Sequence, residues 1–254
     1  MKFDTKQIKI NTWDDLKPYF DDLKNREINS VEDLEKWIKD RSDLSALVEE
    51  DLAWRYIKMT CDTQNKDLLD NYEFFVTNIQ PQISKYDNEL NKKLSENKFF
   101  DSLGEKYKIL KRSVENELNL FREQNIKIQS ELDVLEQKYG QITGSMTINF
   151  EGQELTMQQA AKYLKVPDRN IRHKVYDLMA KKRLEAVDEL NDLMTKLVEK
   201  RHQLALNAGF DNFRDYKHKK LERFDYSVED VLTFDEAIKN KVVPVVEKIV
   251  EHRK

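Results

Sequence analysis

The sequence predicts a mainly α protein: a multi-helix bundle with long antiparallel helices and one small β-hairpin near 142–155. Charged residues make up 36% of the 254 positions against 39% apolar, a balance that suits long solvated helices. Only 5 Gly and 4 Pro punctuate the chain, so turns are few. Apolar residues recur at three- and four-residue spacing along most of its length, with one exception at 140–156, where three of the five glycines fall together. The 12 Phe, 10 Tyr and 3 Trp exclude a disordered chain, which would be poor in the large side chains that drive collapse.

Taken in order, TWDDLKPYFDDLK (12–24) opens with Thr12 as an N-cap and spaces Trp13, Leu16, Tyr19, Phe20 and Leu23 as one helical face. Ser30 followed by Asp33 resembles a capping box, and Val31, Leu34, Trp37 and Ile38 predict a second short helix over 30–40. From Leu44 to Ile79 a helical period continues without Gly or Pro and is expected to stop before Pro81. An amphipathic piece follows at 82–100. Gly104 and Gly140 then bracket a stretch free of both breakers, in which Tyr107, Leu110, Val114, Leu118, Phe121, Ile128, Leu132, Leu135 and Tyr139 predict one very long helix. The alternation Met146, Ile148, Phe150 before Glu151-Gly152 reads as a hairpin. Helices resume at Thr156 with breaks near Pro167 and Gly209, and Pro244 should kink the last one. The expected organisation is an N-terminal helical region (1–139), a hairpin connector (140–155) and a second helical region (156–254).

Composition excludes several functions. The 44 bases against 48 acids leave a net charge of −4, without the basic excess that nucleic acid binding needs. Cys61 is the single cysteine, so there is no disulfide framework. It is expected to pack as a small hydrophobe beside Trp54 and Ile57. The N-terminal MKFDTKQIKI has no apolar run of signal-peptide length and no later window approaches a membrane span, which predicts a cytoplasmic protein without membrane insertion. His173, His202, His218 and His252 never pair at i, i+4, HExxH is absent, and the paired Glu-x-x-His motifs of a di-iron bundle are missing.

Two segments invite other readings. In 155–175, Ala160, Ala161 and Leu164 precede a turn at Lys165–Pro167, while Ile171 and Val175 follow, as in a helix-turn-helix offering Arg169, Arg172 and Lys174 to phosphates. Against this, Lys165 stands where the tight turn favours glycine. The predicted helix 105–139 could be a coiled-coil arm, but its stripe drifts from strict heptads and suits a globular bundle better.

Three stretches together resemble one family. DLAWRYIKMTCDTQNKD (51–67) is similar to an early helix of the oligoendopeptidase F-type (thimet oligopeptidase-like) zinc metallopeptidases, where an aromatic-rich helix runs into an Asp-Thr-x-Asn step. MTINFEGQELTMQQAAKYLKVPDRNIRHKVYDLM (146–179) resembles that family's hairpin and its following Asp-Arg-x-x-Arg helix, here Asp168, Arg169 and Arg172. The most specific stretch is KRHQLALNAGFDNFRDYKHKKLERFDYSVEDVLTFDEAIKNKVVPVVEKI (200–249), with Ala-Gly-Phe, Asn-Phe-Arg-Asp-Tyr, Arg-Phe-Asp-Tyr and Val-Val-Pro in the family's order.

The resemblance implies a helical wall of a deep channel that admits oligopeptides and excludes folded proteins. Asp168, Arg169, Arg172, Gly209, Phe210, Tyr216, Arg223, Phe224, Asp225 and Tyr226 are the family-signature or substrate-channel candidates, and the aromatics among them are read mainly as packing. The family's HExxH helix, its later zinc-ligating glutamate and its His/Tyr groups lie in a C-terminal catalytic region, beyond Glu251-His252-Arg253-Lys254. The expectation is that zinc and an oligopeptide substrate belong to the complete enzyme, while these residues alone supply no catalytic or metal ligand and do not cleave peptides. The other reading is a self-contained helical module that binds peptides or a protein partner.

Overall fold

A computed structural model describes residues 8–253. Residues 1–7, most of the segment read against a signal peptide, lie outside the described residues. The mainly α class is borne out, with one two-stranded antiparallel sheet.

Helix α1 (Trp13–Asn25) starts where the Asp15 carboxylate accepts the backbone N–H groups of Asn11 and Thr12, at 2.8 and 2.9 Å. It buries Leu16, Phe20 and Leu23. Helix α2 (Val31–Cys61) is capped by Ser30, whose Oγ accepts the Asp33 N–H at 3.1 Å. It runs for 31 residues, so the expected short helix 30–40 and the start of the next are one element. Nothing in Arg41-Ser42-Asp43 breaks it, since these residues lack neither an N–H nor a side chain.

The helix expected over 44–79 is instead interrupted at Asp62–Asn65. Asn65 Oδ1 accepts the N–H groups of Asp67 and Leu68 and so starts α3 (Lys66–Phe74). Short polar side chains that bond nearby backbone compete with the helix here, without glycine or proline. Nor does the chain stop before Pro81. A π-turn, Phe75–Ile79, leads directly into α4 (Gln80–Ser95), with Pro81 in its first turn. The same arrangement recurs at Pro244: α11 (Val228–Ala237) passes through a π-turn at Ile238–Val242 into α12 (Val243–Arg253). A wider turn makes room for a proline ring that would otherwise press on the carbonyl four residues before it.

The single long helix expected over 105–139 is two helices. After a 3-10 turn at Glu105–Tyr107, α5 (Lys108–Leu120) ends in extended backbone at Phe121 and Arg122, and α6 (Glu123–Gly144) runs through Gly140. The reason is tertiary: Phe121 and Arg122 lie where the chain passes from the first core to the second, and the Arg122 guanidinium donates to the Asn119, Phe121 and Ala208 carbonyls.

The hairpin forms as read, with β1 (Thr147–Phe150) paired to β2 (Gln153–Thr156) in the register Ile148↔Leu155 and Phe150↔Gln153. Glu151 and Gly152 turn the chain at φ 54° and 78°, the pair of positive angles that matches the right-handed twist of two strands. Thr156 then caps α7 (Met157–Ala161), and a 3-10 turn leads to α8 (Arg169–Leu184). A further break at Glu185-Ala186, which no glycine or proline announces, separates α8 from α9 (Val187–Asn207). Helix α10 (Phe213–Lys220) follows the turn at Gly209.

Three cores result. The largest lies among α1, α2, α4 and α5, around a fully buried Trp37 whose indole N–H donates to the Leu23 carbonyl at 2.8 Å. The second joins α6 to α9 and α10 through Leu132, Leu193, Leu197, Leu204 and Tyr216. Asn125 donates to the Leu204 carbonyl, Glu136 pairs with Arg201 and Lys138 with Glu189, so the two long helices run antiparallel. The third covers the inner face of the hairpin, Ile148, Phe150 and Leu155, with Val175 and Met179 of α8.

Cys61 is exposed, as are Trp54 and Ile57, which corrects the expected burial. The apolar face they share is real, but α2 turns it outward there and packs the opposite side, through Met59, against its neighbours.

Candidate functional site

The signature residues chiefly build joints. Asp168 is the N-cap of α8, its Oδ1 accepting the N–H groups of Asn170 and Ile171. Arg172 folds back to donate to the Val166 and Pro167 carbonyls, both at 2.7 Å, while Arg169 is exposed. Of the other base offered to phosphates, Lys174 stands over the Phe150 ring at 5.4 Å. Two of the three bases of the helix-turn-helix reading thus make contacts within the chain, Arg172 to backbone carbonyls and the exposed Lys174 to a ring.

Gly209 closes α9 at φ 86°. The N–H of Phe210 donates to the Ala205 carbonyl and that of Gly209 to the Leu206 carbonyl, at 2.9 and 3.0 Å. These are the paired bonds of a Schellman cap, which needs a left-handed residue at this point. Phe210 folds over that last turn and meets Tyr216 edge-on at 5.8 Å.

Residues 218–226 then seat on α5. Glu222 accepts from Ser113, the Lys219 carbonyl accepts from Asn116, and Lys220 pairs with Glu117 at 2.8 Å. The Arg112 guanidinium lies 4.3 Å over Phe224 and 3.7 Å from Asp225. Tyr226 packs edge-on against His218 at 5.5 Å, and Arg223, itself exposed, gives its backbone N–H to the His218 carbonyl. This strap ties α10 to α5, the step at which the C-terminal half of the chain meets the first core.

Only Tyr216 of the ten reaches a cleft of about 480 Å³ between α2–α4 on one side and α5, α6, α9 and α10 on the other. Its lining is rich in amides and includes Asp87 and Asp133. Burial raises the Asp87 carboxyl, and Arg41, whose Nη2 stands 3.5 Å away, opposes the rise. The Asp87 side chain is still 39% exposed, the signature of a group on a cleft floor, enclosed by protein yet open to the recess. Burial also lowers Arg41 and raises the Tyr216 hydroxyl.

Sequence reasoning passed over this pair, although a signal was present. Arg41 occupies one position of the stripe Leu34, Trp37, Arg41, Leu44, Val48, and Asp87 one of Ile83, Asp87, Leu90, Leu94. A charge of each sign within two otherwise buried stripes calls for a partner.

Glu199 and His202 stand at Glu-x-x-His spacing on α9, but among the described residues no three His, Cys, Asp or Glu side chains converge as a metal site. Zinc therefore has no fit among them. No helix among the described residues is long and apolar enough to cross a membrane.

The class of this helical scaffold with its recessed polar cleft follows from two matches. Residues 3–121 match the peptidase M3 N-terminal domain, and residues 162–254 match peptidase family M3. The chain belongs to peptidase family M3.

Its fold is that of one part of several solved structures. A putative oligoendopeptidase F superposes with a TM-score of 0.89 at 23% identity, over 99% of this chain and 45% of that one. PZ peptidase A, solved with an inhibitor, gives 0.86 at 24% identity, over 99% and 45%. A putative oligoendopeptidase F from Bacillus anthracis gives 0.86 at 22%, over 95% and 45%. The chain thus spans less than half the length of these relatives. No curated protein matches it.

Proposed function

We propose that these residues form the N-terminal, channel-wall portion of a cytoplasmic zinc metalloendopeptidase that hydrolyses oligopeptides, with the reacting groups supplied by a C-terminal catalytic region. The observation that carries this reading is the pairing of two family M3 matches with a fold likeness that covers 99% of this chain and only 45% of its relative. HExxH does not occur in the 254 residues. In the whole enzyme zinc would polarise the peptide carbonyl and lower the pKa of water, work that no residue described above performs.

The segment α11–α12 supports the same reading. Phe234, Val242, Val245, Val246, Ile249 and Val250 are all exposed, and the last five recur at three- and four-residue spacing as one apolar face, opposite Glu247, Lys248 and Glu251. An amphipathic helix whose apolar face meets nothing in this chain is one that further protein covers. The strap on α5 and the Schellman turn at Gly209 give this segment a fixed point of departure, so what docks on it has a defined position relative to the cleft.

The test uses a quenched fluorescent oligopeptide. The 254-residue chain alone is expected to give no zinc-dependent hydrolysis, and a C-terminal region carrying HExxH, added in trans, is expected to restore it. Zinc-dependent cleavage by the chain alone overturns the assignment of roles, and absence of any association between the two parts overturns the channel-wall reading.

A further inference from the structure

A second recess, about 150 Å³ and more enclosed than the cleft, lies between the C-terminal half of α2, α3 and the middle of α6. Its lining includes Tyr56 and Tyr72, Met59, Gln137 and the carboxylate residues Asp133 and Glu136, with Thr60 and Thr63 beside them. The two rings are 6.0 Å apart and inclined at 59°, so they offer faces at an angle instead of closing into a stack. Tyr72 and Asp133 also line the larger cleft and form the partition between the two.

The carboxylates are not balanced alike. Glu136 is paired with Arg201 at 2.8 Å. Asp133 accepts only the neutral Gln129 amide, also at 2.8 Å, and no Lys or Arg among the described residues reaches it. The surroundings register this excess of negative charge. Burial, then the charge of Asp133, pushes the Tyr72 hydroxyl to about 12, and burial with the Glu136 charge raises Asp133.

Aromatic faces and an uncommitted carboxylate converging on one enclosed recess match an organic cation, which the ring quadrupoles attract and the carboxylate pairs. A divalent metal ion is a poor match, since it takes six or more oxygens and no three carboxylate, His or Cys groups among the described residues converge on a metal position. The recess is also smaller than the roughly 300–1,000 Å³ of ordinary small-molecule pockets, which limits the guest to a side-chain-sized group. We infer that the Tyr56–Tyr72–Asp133 recess is a binding site for a primary ammonium on a short alkyl chain, either a free alkylamine or the lysine side chain of a peptide. The site needs no zinc and no hydrolysis, so its failure leaves the peptidase reading standing, and the reverse holds as well.

The probe is n-butylammonium, titrated into the 254-residue chain and followed by backbone amide chemical shifts, with 1-butanol as the neutral control. Saturable shifts confined to residues 56–60, 72 and 129–140 are expected for the cation and not for the alcohol. Asp133→Asn, which keeps an oxygen for the Gln129 amide, should weaken binding about tenfold or more, and Tyr56→Leu about two- to fivefold, the loss of one ring face. N-acetyl-lysine amide binding at the same residues assigns the guest to a peptide, and binding of butylammonium alone assigns it to a free amine. Equal responses to cation and alcohol, shifts mapping elsewhere, or unchanged affinity in Asp133→Asn each overturn the inference. Glu136→Gln provides the second variant, expected to weaken binding less because Glu136 is already paired.

Discussion

Gly209 separates a structural signature from a chemical one. At φ 86° the residue sits in the left-handed region, and a Cβ built on it meets nothing within 4 Å. The cost of Gly209→Ala is therefore conformational and not steric. A left-handed L residue costs roughly 1–2 kcal/mol, and alanine returns about 0.4–1 kcal/mol of that by restricting the unfolded chain, which leaves a net loss of about 1 kcal/mol. For a chain of this size that corresponds to a fall in Tm of about 2–4 °C. Asparagine tolerates this region, so Gly209→Asn should lose less than half as much. Urea unfolding read by circular dichroism measures both, with the midpoint moving and the slope unchanged. A loss above about 3 kcal/mol, or equal losses for Ala and Asn, would falsify the conformational account.

Two further substitutions test the other joints and the charge of the partition. Asp168→Ala removes the acceptor for the Asn170 and Ile171 N–H groups and should cost about 1 kcal/mol in the same urea assay, without touching the cleft. Asp133→Asn should raise Tm at neutral pH. The Asp133 carboxyl has a folded pKa above its ordinary 3.8, so the folded state holds its proton longer and the carboxylate costs stability as pH rises through that window. The gain in Tm should shrink as pH falls through the unfolded value of 3.8 and vanish about one unit below it, where the carboxyl is neutral in both states, and a pH-independent gain would show that burial of its charge is not the cause.

A variant that is more stable yet binds the ammonium less well has a clear physical meaning. Asp133 is then held, against its own desolvation, by something other than the fold.

What the chain determined by itself are the features whose causes are local. The Glu151-Gly152 turn, the alternation of Ile148 and Phe150, the cap at Ser30 and the stop at Gly209 each depend on a few neighbouring residues, and each formed where the sequence placed it. The family resemblance was legible for the same reason, since these turns and caps supply much of its signature. The strap from His218 to Tyr226 was legible as a motif but not as a joint to α5, because its partners Arg112, Ser113 and Glu117 lie over a hundred residues earlier.

Only the tertiary structure decided the helix breaks and the recesses. At Phe121-Arg122 and Glu185-Ala186 no glycine or proline stops the helix, and the chain passes there from one core to another, at the first with the Arg122 guanidinium bonded to the Asn119, Phe121 and Ala208 carbonyls. At Pro81, which reads as a stop, and at Pro244, which reads as a kink, a π-turn instead carries the helix through. Arg41 and Asp87 stood as lone charges in apolar stripes until the fold set them 3.5 Å apart. Tyr72 and Asp133, far apart in sequence and without a shared motif, became one wall of two recesses. Local propensity fixes which residues can turn, cap or bury, while the pairing of buried charges depends on which helices meet, and that is a property of the whole chain.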